Sequence, residues 1–489
     1  MSLLHLPPEI FDKIVSLVLP EGFESLALTC QGTHALCTPF LEGHNQLRSQ
    51  FHRLALGSSS PTNTLLDLIV RIDSEPIIAR YIIHADFGFD RYHSYIQDVY
   101  RRHHGPLKNL LADSPYLKKA GLDWKEYHEL IKADLRRNRY SRNYSQHVTA
   151  FVLTLLPNVK TLMLSPWQPL EAPKKLFEAI LAESKLSMFP CEIPSLGQLT
   201  KIKISTYTRL RFDLWQDFPL LALPNLRSYR GPNFVARGDL SIAHLSKPIS
   251  DFRCGQSLET VYLKNCCIND VAIANFLRHA PHLRSFNYDH LVAKESDSEI
   301  WNIFKFIAAI ESEAGSYLEE LSIKICAPTS TEDTSLKDRP IVSIAPNNLF
   351  MRGFKCLRKL ELPLEIAICD HADAAFRATK SKRILANQGP RNFEIFINEL
   401  LPASVTHLSL SSGGIDTGAR SHIIKAIGNH FVADQSRFPS GKEIQLLLPG
   451  DNSAIYLYRE NHSEAAGEVE KLDAIPDSPS CGFSLVYFI

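Results

Sequence analysis

The sequence has no excess of charge of either sign, no long apolar run and no paired-cysteine motif. Lysine and arginine total 53 and aspartate and glutamate also total 53, so the formal net charge is zero. Proteins that bind nucleic acids usually carry a basic excess, because neutralising phosphates supplies most of their sequence-independent affinity. We therefore expect no nucleic-acid partner.

The apolar runs are too short to cross a membrane. Residues 148 to 156 form one of the longer runs, which reaches about half the length that a bilayer requires and is followed by Pro157. The apolar N-terminus is interrupted by Pro7, Pro8 and Glu9, which a secretory signal would not contain in its core. We expect no membrane partner and a cytoplasmic location, a nuclear one, or both.

Motifs that carry chemistry are missing as well. The ten cysteines include no CxxC pair, so neither a zinc site nor a dithiol redox site is indicated. His103 and His104 have no Cys or carboxylate at metal-ligand spacing, and Gly413-Gly414 lacks the surroundings of a phosphate-binding loop. We expect no catalytic residue, no metal and no cofactor. An enzyme whose site is assembled from distant residues stays open as the less favoured alternative.

What the sequence does contain is a repeated spacing of apolar residues. The pattern apolar-x-x-apolar-x-apolar occurs eight times between residues 159 and 410, once in degenerate form. Its last two positions lie two residues apart, so they share one face of a short strand. Helix-period segments that end at a proline precede several units. The eight units are Val159/Leu162/Leu164, Leu199/Ile202/Ile204, Leu226/Tyr229/Gly231, Leu258/Val261/Leu263, Leu283/Phe286/Tyr288, Leu318/Leu321/Ile323, Leu357/Leu360/Leu362 and Val405/Leu408/Leu410.

A single helix-strand unit leaves its apolar face exposed, and only a stack of such units buries it. The fold class is therefore predicted to be α/β, with an irregular solenoid over residues 151–450 whose parallel strands line the concave face. The segment from Leu258 to Cys266 resembles a leucine-rich repeat. A doubly wound α/β fold is the alternative.

The flanks of the predicted solenoid have a different composition. Residues 51–150 are predicted to form a helical connector with an initial repeat at Ile78/Tyr81/Ile83 and a polar insertion over 86–147, within which Asp123 opens a helix. Residues 451–489 are predicted to be a polar stretch followed by a capping strand.

Residues 1–50 have a pattern of their own. Pro8 and Glu9 mark the first turn of a helix, and the apolar residues that follow cover more of its surface than a lone helix can keep in water. Two further short helical segments, 23–30 and 31–41, are too small to bury that surface alone. A partner or the following repeats must cover it.

The module over residues 1–50 resembles a fungal-type F-box. The resemblance rests on Leu6-Pro7-x-Glu9-Ile10-x-x-x-Ile14, followed by Leu26, Cys30, Pro39 and Leu41. In that family a three-helix motif binds the adaptor subunit of cullin-RING ubiquitin ligases, and the C-terminal repeats select the substrate. One departure is the longer turn Pro20-Glu21-Gly22-Phe23 after the first helix. The adaptor-binding residues that the resemblance implies are Leu6, Pro7, Glu9, Ile10, Ile14 and Leu17.

The resemblance implies a substrate-receptor subunit of an SCF-type ligase, with the cullin-RING adaptor and an unknown protein substrate as its partners. A ubiquitin-independent leucine-rich-repeat scaffold is the alternative, as is a helix that merely caps the solenoid. Residues between the buried strand positions would form the substrate face, and their mixed chemistry favours a protein ligand. This predicted face consists of Met163, Lys203, Tyr262, Asn287, Ser322, Glu361 and Ser409.

Overall fold

The computed structural model describes most of the chain as two compact units. Unit 1 comprises Met1–Phe212, Gln216–Tyr229 and Phe252–Ser257, and unit 2 comprises Asp213–Trp215, Arg230–Asp251 and Leu258–Ile489. The described residues are 3–56, 62, 64–88, 96–137, 145–165, 170–186, 194–205, 212–214, 218–236, 255–291, 301–326, 351–368, 382–411, 423–427, 429–430, 443–447, 454–458 and 485–488.

Unit 1 begins with helices and continues as alternating helices and short strands. Its helices are α1 (Pro8–Val18), α2 (Phe23–Ala27), α3 (Gln31–Phe51), α4 (Leu65–Ser74), α5 (Ile78–Tyr81), α6 (Ile96–Asp113), α7 (Pro115–Lys119), α8 (Trp124–Arg137), α9 (Gln146–Leu153) and α10 (Glu171–Leu186), with 3-10 turns at Leu3–His5 and Phe218–Ala222. Its strands are β1 (Arg53–Ala55), β2 (His84–Asp86), β3 (Thr161–Leu164) and β4 (Lys201–Ile204). Two strands contain residues of both units, β5 (Phe212–Asp213) and β6 (Ser228–Pro232).

Unit 2 has longer strands separated by helices. Its strands are β7 (Phe234–Ala236), β8 (Thr260–Ile268), β9 (Ser285–Leu291), β10 (Glu320–Cys326), β11 (Lys359–Pro363), β12 (His407–Ser411), β13 (Glu443–Leu447), β14 (Ala454–Tyr458) and β15 (Leu485–Phe488). Its helices are α11 (Asp270–Arg278), α12 (Ile303–Ala314), α13 (Leu364–Ile368) and α14 (Lys382–Ile395), which continues into a π-helical turn at Phe396–Leu400.

Within each unit, neighbouring strands follow one another in chain order. In unit 1, β1 to β4 pair consecutively and in parallel. In unit 2, β8 to β13 do the same, after which β14 runs antiparallel to β13 and β15 parallel to β14. This succession is a mixed α/β, solenoid-like arrangement. Among the described strands of each unit, it lacks the reversal of strand order that marks a doubly wound sheet.

All eight predicted repeats contain a strand, and each strand includes the last two apolar positions of its unit. These positions are buried: Leu162 and Leu164 are 0% exposed, for example. The helices predicted before the prolines are also present, as α9, α11 and α14. The strands form here because alternate apolar residues can be buried on one side while the residues between them face outward.

The predicted initial repeat at Ile78/Tyr81/Ile83 is wrong in its position. Ile78 and Tyr81 belong to the short helix α5, and the strand β2 begins only at His84. The error has a physical cause, because two apolar residues three apart also share one face of a helix. A strand at this place in the succession does exist, since β2 pairs with β1 and β3.

The predicted polar insertion is largely helical in its described part. Helices α6, α7 and α8 occupy residues 96–137, and the helix predicted to open at Asp123 is α8. Asp123 caps it, because its Oδ1 accepts hydrogen bonds from the amides of Lys125 (2.8 Å) and Glu126 (3.0 Å).

A carboxylate joins α8 to the start of α9. Asp134 Oδ2 accepts a hydrogen bond from the Ser145 hydroxyl (3.0 Å) and lies 2.7 Å from Nδ1 of His147. The Tyr127 hydroxyl donates to the carbonyl of His147 (2.8 Å). Burial alone would raise the pKa of Asp134, but the hydrogen bonds from His147 and Ser145 outweigh it and lower the pKa.

We expect the Asp134 contacts to make part of the stability pH-dependent. A lowered folded-state pKa stabilises the protein above the ordinary aspartate value of 3.8, and that contribution is lost as the pH falls through the folded-state pKa. Asp134→Asn should lower the free energy of unfolding by about 1 to 2 kcal/mol at pH 7, because neutral hydrogen bonds are weaker. Urea unfolding from pH 7 down to pH values below 3.8 should show the difference shrink. Glu126→Gln, at an exposed position of α8, should give no such trend.

The strand alternation makes a second prediction about stability. Leu162→Ala should lower the free energy of unfolding by about 2 to 5 kcal/mol, because it leaves a cavity beneath β3. Thr161→Ala, one residue earlier and half-buried on the outward side, should cost less than about 1 kcal/mol. Equal losses in denaturant unfolding would contradict the assignment of the two faces.

Candidate binding surfaces

The three N-terminal helices are held together by a small apolar core. Phe11 and Val15 of α1 are buried with Phe23 and Ala27 of α2 and Cys37 of α3. Phe11 and Val15 lie four residues apart, which puts them on one side of α1. The side of α1 that lies about a third of a turn away from this pair is not part of that core.

The residues implied to bind an adaptor lie on this adjacent side of α1 and just before the helix begins. Ile10 and Leu17 are 47% and 68% exposed, Pro7 and Glu9 are exposed, and Leu6 and Ile14 are half-buried. Ile10, Ile14 and Leu17 share one helical stripe because they follow the spacing i, i+4, i+7. We call Leu6, Pro7, Glu9, Ile10, Ile14 and Leu17 the α1 face.

Exposed apolar side chains are concentrated in the N-terminal module, residues 1–50. Of the eight large apolar side chains that are exposed in the described part of the chain, six belong to residues 3–36. They are Leu3, Leu4, Ile10, Leu17, Leu28 and Leu36, and the other two are Leu130 and Val271. Apolar residues that are scattered singly on a surface are normal, but a concentration within one small module is typical of an interaction site.

The turn that departs from the F-box pattern fixes the module to the rest of unit 1. Glu21 in this turn accepts a hydrogen bond from Nε of Arg80 (3.2 Å) and forms an ion pair with its guanidinium. The buried Asn158 donates both to Glu21 and to the carbonyl of Arg80 (2.7 Å). Phe23, two residues past Glu21, is 0% exposed. The longer turn therefore connects the N-terminal helices to the residues around Arg80 and Asn158.

Helix α3 forms a second connection. It extends to Phe51, beyond the predicted end at Leu41, and β1 begins two residues later. Its buried His44 has Nδ1 2.8 Å from the hydroxyl of Tyr81 in α5, and burial lowers the pKa of His44. The described part of the connection is thus helical and packed.

Replacing Glu21 should weaken this junction. We expect Glu21→Ala to lower the free energy of unfolding of unit 1 by about 1 to 3 kcal/mol, because the buried Asn158 loses one acceptor and Arg80 loses its carboxylate. Glu42→Ala, which removes an exposed carboxylate of α3, serves as the matched control and should change it by less than about 0.5 kcal/mol. Urea unfolding followed by circular dichroism measures both, and similar values would contradict the role of Glu21.

In unit 2, five residues of the predicted substrate face lie side by side. Tyr262 pairs with Asn287, Asn287 with Ser322, Ser322 with Glu361, and Glu361 with Ser409. Gln445 of β13 continues the row, although the sequence reasoning missed it. Met163 and Lys203, the other two residues, pair with each other in unit 1.

An open groove of about 440 Å³ follows this row in unit 2. It is lined by the row from Asn287 to Gln445, without Tyr262. The residues two positions earlier on three of these strands, Glu320, Lys359 and His407, also line it. The sequence reasoning did not single these residues out, although the period of two along a strand places them on the same face. We call this surface the unit 2 groove.

The charges of the unit 2 groove are largely paired with one another. Lys359 Nζ is 2.7 Å from Glu320 Oε1, and Lys324 Nζ is 3.0 Å from Glu361 Oε1. The Ser322 hydroxyl donates to Glu361 (2.7 Å). The hydrogen bond from Lys359 lowers the pKa of Glu320. The groove therefore offers hydrogen-bonding groups with little local excess charge, which suits a polar polypeptide surface.

At β8, the residue of the row is Tyr262, which already contacts other residues of unit 2. The Tyr262 hydroxyl donates to Asp289 (2.6 Å), and the guanidinium of Arg230 lies 4.5 Å from the centre of the Tyr262 ring. Burial and the hydrogen bond to Asp289 raise the pKa of Tyr262. The Tyr262 hydroxyl has therefore already used its hydrogen on Asp289 and cannot donate it to a ligand.

The described residues form no cluster of three or more His, Cys, Asp or Glu side chains that could hold a metal ion. No helix in the described part of the chain is both long and apolar enough to span a bilayer.

Comparisons with known proteins give little. No model of a protein family matches the chain, and no curated protein does either. Among solved structures, the chain is similar to the crystal structure of the Rad7 and Elc1 complex in yeast, with 12% sequence identity over 67% of this chain and 81% of that chain. The TM-score of 0.23 is too low for the likeness to carry weight.

Proposed function

We propose that this protein is a substrate-receptor subunit of a cullin-RING ubiquitin ligase of the SCF type. It binds the adaptor subunit through the α1 face and a client protein through the outward faces of its strands. The observation that carries the proposal is the exposure of Ile10 and Leu17, at the positions where the F-box resemblance implies an adaptor contact.

The exposed stripe on α1 favours a partner over a capping role. Phe11 and Val15 already satisfy the packing of α1 on the other two helices, so Ile10 and Leu17 add nothing to that core. Covering an apolar side chain of this size stabilises a complex by roughly 1.5 to 3 kcal/mol. A helix that only capped the repeats would need no apolar residues on its outward side.

The junction at Glu21 and His44 supports the same function. A substrate receptor performs no bond chemistry, and acts by raising the effective concentration of its client near a ubiquitin-charged enzyme. That effect requires a module that is held firmly, since a loose tether lowers the effective concentration. Contacts from Glu21 to Arg80 and Asn158, and from His44 to Tyr81, hold the N-terminal module against the first repeats.

The unit 2 groove is the proposed client surface in unit 2. Its row of Asn, Ser, Glu, Ser and Gln side chains presents both donors and acceptors along adjacent strands. Its internally paired charges make it a poor site for a polyanion. A general acid or base works best when its pKa lies near the operating pH, whereas the contact with Lys359 lowers the pKa of Glu320, away from neutral pH.

The proposal is tested by capture of the purified cullin-RING adaptor subunit. Ile10→Asp combined with Leu17→Asp should weaken adaptor binding by at least about a hundredfold, because each change buries a carboxylate in an apolar contact. Pro7→Ala, which removes only part of one apolar side chain, should weaken adaptor binding less. Affinities are measured by surface plasmon resonance on the full chain.

The matched control carries Leu130→Asp and Val271→Asp, two apolar residues that are 39% and 42% exposed outside the N-terminal module. It should bind the adaptor like the unchanged protein. An unchanged protein that fails to bind the adaptor, while remaining folded by circular dichroism, would exclude the ligase function and favour the ubiquitin-independent scaffold.

A further inference from the structure

A second strand surface, in unit 1, carries unpaired positive charge. Arg53 of β1, His84 of β2, Thr161 of β3 and Lys201 of β4 lie in register on four adjacent parallel strands. Arg53 and Lys201 are exposed and the two between them are half-buried, whereas the next residue of each strand is buried. All four side chains therefore point to the same outward side. We call them the basic row.

Two lysines and a further histidine lie beside the basic row. His52 stacks edge-on against His84 with ring centres 5.4 Å apart. Burial lowers the pKa of His84, and the nearby Arg53 and Lys160 lower it further. Lys203 lies two residues beyond Lys201 on the same side of β4. The charges that act on His84 are thus positive.

The cations of the basic row differ from those of the unit 2 groove. Within the residues that the structure describes, no acidic side chain forms an ion pair with Arg53, Lys160, Lys201 or Lys203. One carboxylate, that of Asp86, lies on the same side two residues past His84, and its Oδ1 accepts a hydrogen bond from the amide of Gly88 (2.9 Å). Unpaired, neighbouring cations on one surface attract anionic ligands.

We propose that the basic row binds an acidic polypeptide segment that lies across the strands in extended conformation. This inference deepens the proposed function, on which it rests, by naming the kind of client segment that unit 1 recognises. The shared chemistry of the segment is a series of anionic side chains, whether carboxylates or phosphates.

The spacing of the basic row fits an extended chain. Parallel strands lie about 4.8 Å apart, so the three steps from Arg53 to Lys201 span about 14 Å. Alternate residues of an extended segment are about 7 Å apart and point to the same side. Anionic residues at positions i and i+4 would therefore meet Arg53 and Lys201, and residue i+2 would meet His84 or the Thr161 hydroxyl.

The surroundings of the basic row favour a polypeptide over a nucleic acid. Single-stranded nucleic acids are usually bound by cations together with exposed aromatic rings on which the bases stack. The outward residues beside the row are Ala55, Asp86 and Met163, which continue in register along the same strands. Together with Lys203, which pairs with Met163, these described residues include no aromatic ring, and the rings of His52 and His84 pack edge-on against each other.

The test measures binding of fluorescent peptides to the full chain by anisotropy. One peptide of about nine residues carries glutamate at alternate positions, a second carries phosphoserine there, and a third carries glutamine. Either anionic peptide should bind and the glutamine peptide should not, and the tighter of the two identifies the anion. Binding should weaken when salt is raised from about 50 to about 300 mM, because the charges are at the surface.

Arg53→Gln combined with Lys201→Gln should weaken binding of the anionic peptide by about tenfold for each lost cation. The matched control, Lys119→Gln with Lys175→Gln, removes two cations that are ion-paired with Glu183 and Glu171, and should bind normally. Thermal unfolding confirms that both proteins are folded. The inference is overturned if the anionic peptides bind no better than the glutamine peptide, if both double variants behave alike, or if a single-stranded oligonucleotide binds more tightly.

The adaptor-capture experiment keeps this inference separate from the proposed function. Loss of peptide binding in Arg53→Gln with Lys201→Gln, with adaptor capture intact, supports both. Peptide binding without any adaptor capture would remove the ligase function and leave the basic row as the client site of a scaffold. Adaptor capture without peptide binding would remove the basic row alone.

Discussion

The structure depends on the burial of alternate residues on one side of its repeat strands, as in β3, β4, β10 and β11. Leu162, Ile202, Leu321 and Leu360 are all within 1% of complete burial, and each is flanked by residues that face outward. Because consecutive strands are parallel and in register, the outward residues line up across strands without any further interaction. A requirement of the core therefore also creates the rows of side chains on which the proposed functions rest.

The two rows differ in how their charges are satisfied. In the unit 2 groove, cations and carboxylates of neighbouring strands meet, as in Lys359 with Glu320, so the surface is nearly balanced. In the basic row of unit 1, Arg53 and Lys201 flank His84 and Thr161, which supply no carboxylate. The two units thus present strand surfaces that differ in charge.

The N-terminal module must also bury apolar side chains, but it buries only part of those on α1. Three short helices bury Phe11 and Val15 but are too few to bury the rest of α1. The module is stabilised instead by its junction, where Glu21 contacts Arg80 and Asn158. The α1 face is consequently both firmly held and left exposed, and these are the two properties that a docking surface needs.

The sequence by itself determined the eight strand positions, because burial of alternate residues within six positions is a local pattern. It also placed Asn287, Ser322 and Glu361 between buried strand positions, but it did not predict Gln445 in that row or Arg53 and His84 in the basic row. It failed at Ile78 and Tyr81, where the spacing suits helix and strand equally. Only the tertiary structure decided that Tyr262 is engaged by Asp289 and that Glu21 reaches Asn158, 137 residues away. Such pairings depend on how distant segments pack against each other. Contacts of this kind produce no repeated pattern in the sequence.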